Sequence, residues 1–178
     1  MGKAIYVLLV VAGVGLFSCK SGDGTRESDN LAENTVMQRQ DGTISLEVRD
    51  ADTYHDVNEP QSSTAEWNVV VSKSGRYNVW LSSATKDSTK LRYNNPVMLS
   101  IKDDMLEVRP SVDKVIQNPS DVSYPYYKAD SFVGSLYLKD TGVYNIQVVS
   151  DRIVPSDDQG DQTAEDTKLL SVSLKPAE

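Results

Sequence analysis

Trp67-Asn-Val-Val-Val71 and Gly75-Arg-Tyr-Asn-Val-Trp-Leu81 alternate apolar and polar residues on either side of a short polar loop, Ser72-Lys73-Ser74. A period of two, carried by β-branched and aromatic residues, is the signature of half-buried strands. Trp67, Val69 and Val71 fall on one face of the first run, and Tyr77, Val79 and Leu81 on one face of the second. A polar loop ending in Gly, which tolerates positive φ, predicts that the two runs form a hairpin with a bulge. The design recurs in Leu136-Tyr-Leu-Lys-Asp-Thr-Gly142-Val-Tyr-Asn-Ile-Gln-Val148. Gly75, Tyr77, Asn78, Val79 and Leu81 match Gly142, Tyr144, Asn145, Ile146 and Val148 at a constant offset without a gap.

Further alternating runs lie at Ile44–Val48, Val97–Ile101, Met105–Val108 and Leu169–Leu174. Val97–Ile101 and Met105–Val108 flank Lys102-Asp103-Asp104 and read as another hairpin. Pro119, Pro125 and the cluster Tyr124-Pro-Tyr126-Tyr127 mark the stretch from Pro110 to Asp130 as an ordered excursion and not a strand. No segment has a convincing helical period. About eight strands of this kind predict an all-β fold, an antiparallel β-sandwich of jelly-roll type spanning residues 44–178.

The N-terminus follows a different pattern. Lys3 precedes an uncharged apolar run from Ala4 to Phe17, shorter than the roughly 20 residues that span a bilayer as a helix. A basic start, a short apolar centre and small residues at its end define residues 1–18 as an export signal. Leu16-Phe-Ser-Cys19 resembles the bacterial lipobox, in which the Cys becomes the acylated N-terminus of the mature protein. Cys19 is the only cysteine in the chain, so it has no internal disulfide partner. Two or three acyl chains attach a protein lastingly where one does not. Lys20 instead of Asp after the Cys is similar to lipoproteins sorted to the outer membrane of diderm bacteria. Residues 19–43 are rich in Ser, Gly, Asp, Asn, Glu and Gln with almost no aromatics, and are expected to form a flexible tether.

Charge narrows the partners. The formal net charge is −8, which argues against nucleic acid and against a basic lipid-binding face. His55 is the only histidine; without a nucleophile elbow, zinc spacing or phosphate loop it reads as a surface loop residue. The acidic loop Asp157-Asp-Gln-Gly160-Asp161, with Glu165 and Asp166 beyond, carries oxygen ligands but lacks the EF-hand spacing, and reads as solvated.

Taken in order, Ile-Ser-Leu-Glu-Val, Trp-x-Val-x-Val, Gly-Arg-Tyr-Asn-Val-Trp-Leu, Leu-x-Leu-Lys-Asp-Thr-Gly-Val-Tyr-Asn-Ile-Gln-Val and Leu-x-Val-x-Leu-x-Pro resemble the galactose-binding-like jelly roll. The resemblance covers about Ile44 to Pro176 and is to carbohydrate-binding modules of families six and thirty-five. It implies a glycan ligand, and a structural calcium held partly by a Glu-x-Glu in the first strand. Here Glu47 is followed two residues later by Arg49, so the calcium pattern is incomplete and no cofactor or metal site is expected. The family-six Asn before the last strand is also missing from Asp151–Thr167.

Sugar sites need aromatic rings against pyranose faces and a few polar groups for the hydroxyls. Trp80, on the face opposite Tyr77, together with Tyr93, Asn94, Tyr124, Tyr126 and Tyr127, are the candidate ligand residues. The expected function is therefore a non-catalytic, lipid-anchored binding module with a glycan ligand. A protein-interaction or scaffold subunit of an envelope complex is the alternative, and a small hydrolase the third, because carboxylate pairs are assembled by folds and not by sequence spacing.

Overall fold

The computed structural model describes residues 35–55, 58–154 and 166–177. They form strands β1 (Thr35–Met37), β2 (Ile44–Glu47), β3 (Asp52–Tyr54), β4 (Thr64–Val71), β5 (Gly75–Thr85) and β6 (Val97–Ile101). The remainder are β7 (Asp104–Val108), β8 (Lys114–Ile116), β9 (Tyr127–Leu138), β10 (Gly142–Val149) and β11 (Thr167–Pro176). One sheet runs β1-β4-β10-β6-β7, with β3 also on β4; the other runs β2-β11-β5-β9-β8. Every pairing is antiparallel except β1 with β4. The eight strands expected from alternation are β2, β4, β5, β6, β7, β9, β10 and β11, interleaved between two sheets as a jelly roll. The other three are three-residue edge additions.

Alternation sets which side chains meet between the sheets. Ala65, Trp67, Val69 and Val71 of β4 and Tyr144, Ile146 and Val148 of β10 face Tyr77, Val79 and Leu81 of β5 and Leu169, Val172 and Leu174 of β11. All of these are buried. Trp67 keeps its indole N–H satisfied by donating to the Glu47 carbonyl at 3.0 Å, as a buried donor must.

The two expected hairpins are not hairpins. β4 pairs with β10 and β5 with β9, so the loops after Val71 and after Leu138 each carry the chain from one sheet to the other. Period-two alternation requires an apolar face on each run and is silent on which strand supplies its backbone partners. In the observed register Gly75 lies opposite Leu138 and Gly142 opposite Val71, so the repeated motifs pair with each other. Both corners are closed in the same way. Tyr77 donates its hydroxyl to the Lys73 carbonyl at 2.6 Å, and Tyr144 donates to the Asp140 carbonyl at 2.9 Å. These are tyrosine corners of the kind β-sandwiches use to fix a turn between sheets. Gly75 and Gly142 sit at φ of 148° and 129°, where a Cβ is disfavoured. β6–β7 is a tight local hairpin, turning at Lys102-Asp103 with Lys102 at φ 52°.

The tether is shorter at its C-terminal end than expected, because residues 35–43 belong to the sandwich. Val36 packs against the core, and Gln38 clamps the first corner. Its amide donates to Tyr77 Oη at 2.6 Å and to the Gly42 carbonyl at 2.7 Å, and its oxygen accepts from the Ser72 and Lys73 N–H groups. The signal segment, Cys19 and the acidic loop Asp157–Glu165 lie outside the described residues.

Candidate functional site

Tyr124, Tyr126 and Tyr127 come together on one groove of about 780 Å³ at the β8–β9 end of the second sheet. Val115 and Ile116 of β8 supply apolar lining, while Gln117, Asn118 and Ser88 supply amide and hydroxyl groups. The connection between β8 and β9 is held by local features. Asn118 takes φ 49°, a left-handed value that Asn accommodates better than most residues. The Tyr124–Pro125 bond is cis, and the Tyr126 N–H donates to the Ser123 carbonyl at 3.0 Å. Asp121 accepts from the Lys128 ammonium at 2.6 Å, which anchors the connection to β9 and holds the Asp121 carboxyl below the usual carboxylate range.

The three rings differ in exposure. Tyr124 is 93% exposed and Tyr127 47%. Tyr126 is half-buried, with the ammonium groups of Lys86 and Lys168 each 5.5 Å from its centroid, a cation–π arrangement that steadies the ring.

The other candidates lie elsewhere. Tyr93 is half-buried: it packs against the core and its hydroxyl is 2.8 Å from Ser83 Oγ. Burial pushes its ionisation far above the ordinary tyrosine value. Its neighbour Asn94 is exposed, donates its backbone N–H to Asp151 at 3.0 Å, and shares a separate polar groove of about 540 Å³ with Tyr93, Arg92 and Asp166. Trp80 projects from the outer face of β5, with its ring 5.2 Å from that of Phe132 and the Lys175 ammonium 5.9 Å away.

Gln117, Asn118 and Ser88 were not legible as site residues, nor was the outward turn of Phe132 beside Trp80. Counting back by twos from the inward Leu136 places Phe132 inside, but a bulge opposite Val79–Trp80 shifts the phase and turns it outward, 43% exposed. The three polar groove residues are chemically unremarkable alone; only the fold joins Ser88 to the β8–β9 connection.

His55 is exposed, with Nδ1 2.7 Å from Ser63 Oγ. The calcium implied by the resemblance does not fit the residues present. Glu47 faces a Ser45 hydroxyl at 3.3 Å, and the position of the second carboxylate holds Arg49, whose guanidinium stands 3.9 Å from Asp50. Among the described residues no group of three or more His, Cys, Asp or Glu is placed to hold a metal.

The strand order and register define the class: a two-sheet, all-β jelly-roll sandwich. No family model matches the sequence, and no curated protein matches it. Solved structures do. An α-L-fucosidase from Vibrio sp. strain EJY3 aligns with a TM-score of 0.63 at 21% identity, over 80% of this chain. This chain spans 24% of that enzyme. The insecticidal crystal protein Cry2Aa aligns with a TM-score of 0.48 at 14% identity, covering 79% of this chain and 22% of its own. A family 35 carbohydrate binding module from Clostridium thermocellum aligns at 0.42 and 15% identity, covering 76% of this chain and 98% of its own. At such identities the likeness is one of fold.

Proposed function

We propose that this chain is a non-catalytic glycan-binding module, tethered to the bacterial envelope through acylated Cys19, with the tyrosine groove as its ligand site. The observation that carries the reading is the convergence of Tyr124, Tyr126 and Tyr127 on one groove beside the Gln117 and Asn118 amides. Rings for pyranose faces and neutral hydrogen-bonding groups for hydroxyls are the two things a sugar site requires. Leaving Tyr124 93% exposed costs solvation that a binding partner would recover. Among the described residues no carboxylate or imidazole lines the groove, whereas glycoside hydrolysis needs a pair of carboxyl groups about the scissile bond. The lipobox-like Leu16-Phe-Ser-Cys19 supports the anchor.

The test is a glycan array probed with the mature protein and with Tyr124→Ala, Tyr126→Ala and Tyr127→Ala. Binding should fall about 5- to 150-fold for Tyr124→Ala if stacking on this ring is worth the roughly 1–3 kcal/mol that bases gain on aromatic side chains, and Tyr124→Ala should leave the thermal midpoint unchanged. If no glycan binds, an interaction subunit without a sugar site becomes the reading; glycan binding indifferent to all three substitutions places the ligand elsewhere.

A further inference from the structure

We infer that the groove selects an uncharged glycan and discriminates against uronic-acid and sulfated chains; this rests on the groove being the ligand site. Among the described residues, those that line it are tyrosines, aliphatics, Pro119, and the amides and hydroxyl of Gln117, Asn118 and Ser88, with no Asp, Glu, Lys, Arg or His. That neutrality is not a property of the surrounding sequence, which holds Asp113, Lys114, Asp121, Lys128 and Asp130 within eighteen positions. The fold engages most of those charges with one another or with strand groups. Asp121 and Lys128 pair at 2.6 Å. Asp130 accepts from Ser82 Oγ at 2.7 Å. Asp113 accepts from Ser111 Oγ at 3.0 Å and from the Phe132 N–H at 2.6 Å. The two ammonium groups nearest the rings, Lys86 and Lys168, are directed at Tyr126, and Lys86 also stands 3.9 Å from Asp166.

A carboxylate or sulfate drawn into such a groove would lose hydration without meeting a cation among the described lining residues, the Lys86 and Lys168 ammonium groups lying against the Tyr126 ring instead, which disfavours the charged ligand. A sugar hydroxyl both donates and accepts, and an Asn or Gln amide offers both roles. The net charge of −8 adds long-range repulsion of polyanions.

The experiment compares matched polymers, galactan with polygalacturonate and dextran with dextran sulfate, by affinity electrophoresis and calorimetry on the mature protein at about 50 and about 500 mM salt, a range that screens exposed charges. Neutral members should bind at least tenfold more tightly than their charged counterparts, with little change across the salt range. Gln117→Lys should narrow that gap at low salt while Tyr124→Ala abolishes binding of the neutral member. Charged polymers bound equally or better, with binding lost in Tyr124→Ala, would overturn the neutral selection and leave the groove standing. No binding to either class, or binding untouched by Tyr124→Ala, would overturn the groove and the selection with it.

Discussion

Tyr77 and Tyr144 each place a ring in the core and a hydroxyl on the backbone of the preceding corner. Truncating either to Ala should cost about 3–5 kcal/mol, the usual range for deleting a large buried ring. Tyr→Phe at either position keeps the ring and should cost about 1 kcal/mol through the lost hydrogen bond. Asn78 and Asn145 face outward, bonded to Ser135 at 2.6 Å and Glu66 at 2.5 Å, so Asn→Ser should cost less than about 1 kcal/mol. Urea unfolding of the single variants checks this; costly Asn and harmless Tyr substitutions would invert the assigned faces. The Asp121–Lys128 pair makes a pH-dependent prediction. Its hydrogen bond from Lys128 lowers the folded-state pKa of Asp121, so its stabilisation is present above the ordinary carboxylate pKa of about 4 and lost as pH falls through the lower folded value. The pair is only partly exposed, and after solvent screening its worth is on the order of 1 kcal/mol. Asp121→Asn should therefore be slightly less stable than the parent at neutral pH and equal to it once the carboxyl is protonated in both states; urea midpoints across the acid range would show whether the gap closes.

The paired corners and the N-terminal strand show how elements co-operate. Val71-to-Gly75 and Leu138-to-Gly142 are equivalent turns between sheets, brought side by side by the β4–β10 and β5–β9 ladders. Gln38, just beyond β1, fastens the first of them through Tyr77 Oη and the Ser72 and Lys73 N–H groups. Nothing comparable is described at Tyr144, where the Lys102 ammonium lies 3.9 Å from the ring centroid. A chain beginning at Ile44 should accordingly be less stable than one retaining residues 35–43 by about 2–4 kcal/mol, from the lost burial of Val36 and the lost Gln38 bonds. Denaturant midpoints of the two fragments decide it, and equal midpoints would return residues 35–43 to the tether.

For the whole molecule, the jelly roll makes a rigid support from which the β8–β9 connection presents its rings, as binding loops on sandwiches do. Among the described residues no helix is long and apolar enough to cross a membrane. The proposed attachment through Cys19 predicts that Cys19→Ala yields an unprocessed or soluble protein, because Cys19 is the only cysteine in the chain. Fractionation after carbonate washing provides the measurement. A Cys19→Ala protein that stays with the membrane would defeat the lipid anchor and indicate an uncleaved apolar segment.

Eight strands, their inward residues and the sandwich class were legible in the linear chain, because alternate burial is a local property of a pleated backbone. Tyr77 against Asn78 and Tyr144 against Asn145 could be assigned to faces by counting alone. Strand partners could not, since Tyr77 finds a buried face equally well beside Val71 or beside Leu138, and the choice depends on closing two sheets over one core. β1 escaped notice because three residues make no period, and its stability comes from β4 and from Gln38 reaching the first corner. Phe132 could not be assigned by counting for a related reason: one extra residue in β9, between Gly134 and Phe132, changes the phase of the alternation. The tyrosine cluster was visible as a cluster, but Ser88, Gln117 and Asn118 became its neighbours only when β8, β9 and the loop after β5 were brought to one edge. Contacts between segments distant in sequence are properties of strand pairing, and no local pattern encodes them.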